Sequence, residues 1–259
     1  MRDHTFRDYE VGLYPLPKIK QETIAVKELP ILFNGEMVRA ILEGRKTVTR
    51  RPVKGWQIPT EDLTQEGRQR WSAIAQRHPR YGFCVFGETA SECAQELATS
   101  GSCPFGKPGD LLWVRETTEA DELTSDSVTL SRYAADRAPV LHSGLVGSDY
   151  NGTVAHWDYP RGSRPSIHMH RWASRILLKI NNIRAERLDQ MSVIDYQAEG
   201  CHGGHGSIPG YVGNATPCEH FHHVWDSTGG NSGGNPWVWV IEFSRIEAGF
   251  VRAVKGNPA

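Results

Sequence analysis

The longest hydrophobic segments of this chain are short and rich in β-branched and aromatic residues. They cover residues 31–33, 111–116, 176–183 and 237–243. Runs of this kind, bounded by turn residues, predict buried β-strands. A further strand is expected at Ser131–Ala135. The β-branched alternation over Arg45–Pro52 predicts another, which the proline closes or places at a sheet edge.

Helix signals are fewer than strand signals, but several have a clear start and stop. Asn34 is a suitable N-cap for an amphipathic helix that Gly44 ends. Ser192–Asp195 forms a capping box for a short helix that Gly200 ends, and Thr216–Glu219 forms another. In the polar stretch after the first strands, two more short helices are expected at residues 67–77 and 90–99.

Strands outnumber helices, and no alternating strand–helix–strand series is present. This pattern favours an α+β or mostly-β barrel over a doubly wound sheet. We expect an N-terminal arm at residues 1–29, one main domain at 30–247 and a C-terminal tail at 248–259. Two long insertions, at about 55–106 and 119–163, are expected to interrupt the domain.

The overall charge predicts no long-range attraction to nucleic acid. Lys and Arg number 29 against 30 Asp and Glu, so any basic patch must be local. The chain opens on Met1-Arg2-Asp3-His4 and has no run of roughly 18 apolar residues, so neither secretion nor a membrane span is expected. Five cysteines without CxxC spacing favour reduced thiols. We therefore expect a cytoplasmic protein, with a monomer favoured.

Two motifs resemble known sites but lack their context. Gly101–Lys107 matches GxxxxGK, yet Pro108 takes the place of the metal-binding hydroxyl, and a turn and a strand follow instead of a helix. The cysteines and histidines of residues 201–223 contain neither CxxC nor HxxxH spacing, which argues against structural zinc. No metal or cofactor is expected, although the sequence alone leaves zinc at this cluster undecided.

Positive charge and hydroxyl groups are concentrated in Gly44–Arg51, directly after a helix stop. One interpretation is a solvated basic edge strand; the other is a ligand site. The candidate residues for binding a nucleotide or nucleic acid are Arg45, Arg50, Arg51, Trp113, Arg115 and Glu116. The arginines are suited to bidentate phosphate contacts, but they equally suit ion pairs with neighbours such as Glu116. Trp113 can stack on a base or belong to the core.

Several segments, taken in order, resemble the ASCH family of PUA-like proteins. They are the helix ending at Gly44, the GRKTVT segment at 44–49, the Pro-Gly-Asp turn and strand at 108–116, Leu188–Gly200 and the strand at 237–243. With Arg164–Arg175, the chain resembles the larger ASCH proteins of bacteriophages and prophages. The resemblance implies a PUA-like mixed β-barrel with short flanking helices, located in a bacterial host cytoplasm.

Small bacterial members of this family remove the acetyl group from N4-acetylcytidine with a lysine, a threonine and a glutamate. Lys46 and Thr49 match the first two within the shared segment, and Glu199 matches the third. The resemblance implies that Lys46 is the base, Thr49 the nucleophile, and Glu199 the group that protonates the leaving amine or steers water. Residues three apart face opposite sides of a regular strand, so a turn or bulge after Gly44 is required.

The same residues allow a second function without chemistry. A PUA-like module can hold RNA or a modified base by placing phosphates on a basic strand and a base on an aromatic ring. RNA cleavage is a weaker third possibility, which no residue singles out. In each case the expected partner is a nucleoside or RNA, and no membrane is involved.

Overall fold

The computed structural model describes residues 26–63, 70–78, 81–122, 129–141 and 154–246. Nearly all of the expected N-terminal arm and the whole C-terminal tail lie outside these residues. Within them the chain is a mixed α+β protein with far more strand than helix, which confirms the expected class. The longest helix has 11 residues, and no helix of the described ranges has the length and apolar character of a membrane span.

The strands, in chain order, are β1 (Glu28–Leu32), β2 (Val48–Pro52), β3 (Thr60–Glu61), β4 (Trp71–His78), β5 (Tyr81–Gly87), β6 (Leu111–Arg115), β7 (Thr118–Asp121), β8 (Leu130–Tyr133), β9 (Ser163–Arg164), β10 (Leu177–Arg187), β11 (Gly204–His205), β12 (Asn214–Ala215) and β13 (Trp237–Ile246). The α-helices are α1 (Gly35–Leu42), α2 (Ala90–Thr99), α3 (Val193–Ala198) and α4 (Pro217–Ser227).

A five-stranded sheet in the order β1-β6-β10-β13-β2 organises the fold. Its first pair is parallel and the other pairs are antiparallel. Three small sheets accompany it, formed by β3-β4-β5, β8-β7-β9 and β11-β12. In the described part of the chain no sheet closes into a barrel, so the closed form of the expected barrel is not found there.

The two edges of the main sheet nevertheless approach each other. Arg51, on edge strand β2, donates a hydrogen bond of 2.6 Å from Nη2 to the carbonyl oxygen of Leu32 on edge strand β1. Residues of both strands also line one cavity. The sheet therefore curls, and the cavity occupies the space between its edges.

Strand β13 is buried on both faces, which explains its length and its β-branched and aromatic composition. Trp237 and Trp239 share one face, as their spacing predicts, and pack in the main core with α1 and α2. Val238 and Val240 point the other way, into a second core that includes Phe221 of α4. The sheet is thus covered by helices on both sides.

Local signals gave most helix boundaries correctly. Asn34 Oδ1 accepts a hydrogen bond of 2.8 Å from the Met37 backbone N–H, and both expected capping boxes are formed. The helix expected at 90–99 is α2, but the helix expected at 67–77 is wrong. Its described residues from Trp71 onward form β4, because Ala73 and Ala75 alternate with more exposed neighbours and pair with β5.

Candidate functional site

A cavity of about 980 Å³ lies between the edge strands β1 and β2 and the helices α1 and α4. Its polar wall includes Thr49, Arg50 and Arg51 from β2 together with Glu199 from the end of α3. Its apolar wall includes Phe33, which follows β1. Three segments far apart in sequence therefore contribute to one concave surface.

The turn after α1 directs Lys46 into the interior. Gly44 has a φ of 75°, which suits glycine at a helix end. The backbone N–H groups of Arg45 and Lys46 both donate to the carbonyl oxygen of Ala40, at 2.9 and 3.0 Å. The regular strand begins only at Val48. The turn that the sequence required between Gly44 and the strand is therefore present.

Glu199 is the C-terminal cap of α3, where the chain turns at Gly200 with a φ of 90°. A Cβ atom on Gly200 would lie 2.9 Å from the Cβ of Ala40 and 3.4 Å from the Cβ of Lys46. Gly200 therefore allows α3 to end close against α1. This close approach brings the Glu199 carboxylate to Lys46.

Lys46 and Glu199 form a buried contact. Lys46 Nζ lies 2.5 Å from Glu199 Oε2 and 2.9 Å from the Glu199 carbonyl oxygen. Their side chains are 0% and 4% exposed. Burial lowers the pKa of Lys46 below its ordinary value, although the Glu199 carboxylate opposes the shift. The site therefore favours a lysine that can give up its proton more readily than a lysine in water.

Thr49 lies on the same cavity wall, in the part of β2 that pairs with Ile241. It is buried. No hydrogen bond joins Thr49 Oγ1 to Lys46 Nζ or to Glu199 among the contacts of the described residues. Thr49 and Glu199 thus both line the cavity, whereas Lys46 is not among the lining residues and reaches the site through its contact with Glu199.

Arg50 is fully buried and is held by three carboxylates. Its Nη2 lies 2.9 Å from Glu186 and 2.8 Å from Asp195, and its Nη1 lies 3.4 Å from Glu199. These contacts occupy the guanidinium group, so the ion-pair interpretation describes Arg50 better than a phosphate clamp. Arg50 instead fixes the orientation of the Glu199 carboxylate.

Arg45 and Arg51 differ in what they offer a ligand. The side chain of Arg45 is 39% exposed and forms an ion pair with Glu43. Arg51 lines the cavity, and its guanidinium lies 5.2 Å from the ring centroid of Phe33. Arg51 is therefore the better placed of the two for contact with a bound anion.

The three residues predicted near β6 do not form one group. Glu116 pairs with Arg175 at 2.8 Å and not with Arg115. Arg115 lies at the cavity and donates to the Ser166 carbonyl oxygen at 3.1 Å. Successive residues of an extended chain point to opposite faces, which separates Arg115 from Glu116. Trp113, with the Arg115 guanidinium 5.4 Å from its ring, is not among the residues that line the cavity.

Sequence reasoning missed the residues that support this wall. Asp195 is visible in the sequence only as part of a capping box, yet its second oxygen holds Arg50. Glu186 lies on β10 and gives no local signal. Cys201 lines the cavity, and burial raises the pKa of its thiol to about 12, so the thiol is protonated at neutral pH.

The cysteine and histidine cluster of residues 201–223 is dispersed in space. His220 Nε2 lies 2.8 Å from Glu36 Oε1, and Cys218 Sγ lies 3.9 Å from His222 Nδ1. Within the described ranges, no group of three or more His, Cys, Asp or Glu residues is arranged to hold a metal ion.

No family model matches this chain, and neither curated proteins nor solved structures provide a significant match.

Proposed function

We propose that this chain is a PUA-like ASCH protein that hydrolyses the acyl amide of an N4-acylcytidine-like nucleoside. The observation that carries the proposal is the buried contact between Lys46 and Glu199, since Glu199 lines a cavity that Thr49 also lines. The resemblance of Gly44–Thr49 and Leu188–Gly200 to the family supports the same three residues. The curled sheet supports the relation to a PUA-like barrel.

The buried pair supplies a base and an acid at once. An ammonium beside a carboxylate can also exist as a neutral amine beside a carboxylic acid, because the two forms differ only in the position of one proton. Burial disfavours the charged ammonium and lowers the pKa of Lys46, so Lys46 passes its proton to a neighbouring acceptor more readily here than in water. In the neutral form the amine accepts a proton and the acid donates one.

The reaction then follows in two steps. Thr49 Oγ1 attacks the acyl carbon while its proton passes to the Lys46 amine, and the bond to the exocyclic nitrogen breaks as that nitrogen takes a proton from Glu199. Water next attacks the acyl ester and gives a proton to the Glu199 carboxylate. The ester bond breaks, Thr49 recovers its proton from Lys46, and the carboxylic acid is released.

The cavity suits a nucleoside in size and chemistry. Its volume lies at the upper end of the roughly 300–1,000 Å³ typical of small-molecule sites. Phe33 and Trp225 offer apolar surface for a flat base, and Arg51 offers a cation. A heterocycle with a polar exocyclic group matches this combination.

The test is release of cytidine from N4-acetylcytidine, measured by liquid chromatography with purified protein. Loss of the base is expected to reduce kcat in Lys46→Met by at least about 100-fold, the lower end of the usual contribution of general-base catalysis. Lys179→Met changes an exposed lysine on β10 and serves as the matched control. The absence of cytidine with wild type, or an equal rate with Lys46→Met, contradicts the proposal.

A second candidate is a module that binds RNA or a modified base without turnover. The lack of a hydrogen bond between Thr49 Oγ1 and Lys46 Nζ favours it, although such contacts often form only when substrate is bound. The two functions predict different results for Thr49→Val: loss of hydrolysis in the first case, and retained RNA binding in the second. Hydrolysis requires the hydroxyl, whereas binding of an unmodified RNA does not.

A further inference from the structure

A second, smaller cavity of about 360 Å³ adjoins the first. The two share the wall formed by Arg51, Pro52, Lys54 and Phe105. The second cavity is large enough for a small ligand group by the usual range of such sites. A ligand that fills the first cavity can therefore continue past the shared wall into the second.

The segment expected as the first insertion, residues 55–106, supplies most of the second cavity. Trp56 is 43% exposed, and its Nε1 donates to the Gln76 carbonyl oxygen at 3.3 Å. Gln57 Nε2 donates to the same oxygen at 3.0 Å and to the Ser102 carbonyl oxygen at 2.9 Å. The first bond holds the indole ring of Trp56, which still presents surface to solvent, and the other two hold the neighbouring Gln57. A fixed, half-exposed indole is suited to stacking against a base.

The wall between the two cavities is positively charged. Lys54 is exposed and forms no ion pair with any residue in the described ranges. Arg51 uses one N–H for the Leu32 carbonyl oxygen, which leaves further donors of its guanidinium for a ligand. In a dinucleotide, an anionic phosphodiester joins two nucleosides that each have a flat base. The positively charged wall between the two cavities matches this arrangement.

We propose that the second cavity holds the nucleotide next to the acylated one, so that a single-stranded RNA is a better substrate than the free nucleoside. Trp56 stacks on the neighbouring base, and Lys54 and Arg51 contact the phosphate that joins the two nucleotides. The identity of the acylated nucleotide rests on the proposed function, whereas the presence of a second nucleotide site does not.

Binding of fluorescein-labelled hexacytidylate, followed by anisotropy, tests the second site without any acyl group. Trp56→Ala is expected to weaken binding by about 5- to 150-fold, the range for loss of one base–aromatic stack. Trp56→Phe retains an aromatic face and is expected to bind more tightly than Trp56→Ala. Trp172→Ala removes a comparably exposed tryptophan outside both cavities and is expected to bind as wild type does.

The phosphate contact is tested by the salt dependence of the same binding. Each phosphate contact to a single strand contributes about 0.7 to the slope of log K against log salt. Lys54→Ala is expected to reduce the slope by about that amount, and Lys179→Ala to leave it unchanged. No binding of hexacytidylate, or equal affinity of wild type and Trp56→Ala, overturns the inference.

Turnover separates this inference from the proposed function. The ratio of kcat/KM for an acetylated tricytidylate to that for N4-acetylcytidine is expected to fall in Trp56→Ala and to stay at the wild-type value in Trp172→Ala. If neither substrate releases its acetyl group, the proposed function fails while the hexacytidylate measurement still decides the second site. If both are hydrolysed and the ratio is the same in all variants, the second site is wrong and the hydrolase stands.

Discussion

Replacing Glu199 with glutamine leaves the Lys46 ammonium in a dry interior without a carboxylate. Glu199 is the only ion-pair partner of Lys46 in the described part of the chain, whereas Arg50 keeps Glu186 and Asp195. Removing one partner of a buried pair costs about 3–5 kcal/mol. That is a large part of the roughly 5–15 kcal/mol by which typical domains are stable.

The reverse change is expected to cost less. Lys46→Met leaves Glu199 buried, but Arg50 Nη1 still lies 3.4 Å from its carboxylate. We therefore expect a loss of about 1–3 kcal/mol for Lys46→Met, the range for a buried group left partly satisfied. In the double variant both ends of the contact are gone, so its loss is smaller than the sum of the two single losses by about 2 kcal/mol.

Urea unfolding followed by tryptophan fluorescence measures these differences. With an m-value of roughly 3 kcal/mol per M, Glu199→Gln is expected to lower the urea midpoint by about 1–1.7 M. Single losses below about 1 kcal/mol, or losses that add within about 0.5 kcal/mol in the double variant, would refute the buried pair.

Three further predictions concern the pH dependence of Lys46, the turn at Gly200 and the buried ion pair of Glu116 with Arg175. Folding lowers the pKa of Lys46, so the unfolded chain binds more protons than the folded chain between that lowered value and 10.5. The free energy of unfolding of wild type therefore rises with pH in this range, by up to about 1.4 kcal/mol per pH unit. Urea midpoints measured across the range are expected to rise less for Lys46→Met. Gly200→Ala places a Cβ against α1 at a positive φ, which is expected to cost about 1–3 kcal/mol and so to lower the urea midpoint and slow cytidine release. Gly162→Ala places its Cβ in open space and is expected to change neither the urea midpoint nor cytidine release. Arg175→Met leaves the buried Glu116 carboxylate unpaired, which is expected to cost about 3–5 kcal/mol. Burial raises the pKa of Glu116, so stability is lost as pH rises through that pKa. The urea midpoint of Arg175→Met is therefore expected to differ less from that of wild type at acid pH. An equal deficit for Arg175→Met at acid and neutral pH would contradict the last of these.

Sequence reasoning succeeded where the signal was local. Asn34, the Ser192 and Thr216 capping boxes and the alternating Trp237 and Trp239 act through neighbours within a few residues, so single-chain patterns contain them. Gly44 ends α1 as expected, whereas the strand expected over Arg45–Pro52 begins only at Val48.

The sequence was insufficient to predict structure that depends on contacts between distant elements. Ala73 and Ala75 are good helix formers, but their pairing with Val85 and Phe83 of β5 fixes them in a strand. Likewise, no local rule shows that Arg50 meets Glu186 and Asp195, from two other elements. The contact between Lys46 and Glu199 spans 153 positions, and only the family resemblance indicated it.

The acyl-enzyme is the most direct test of the proposed hydrolysis. Protein quenched with acid during turnover of N4-acetylcytidine is digested, and the peptide that contains Thr49 is analysed by mass spectrometry. The account predicts an acetyl group on Thr49 in wild type. An unmodified Thr49 peptide, together with cytidine release by Thr49→Val at the wild-type rate, would contradict it.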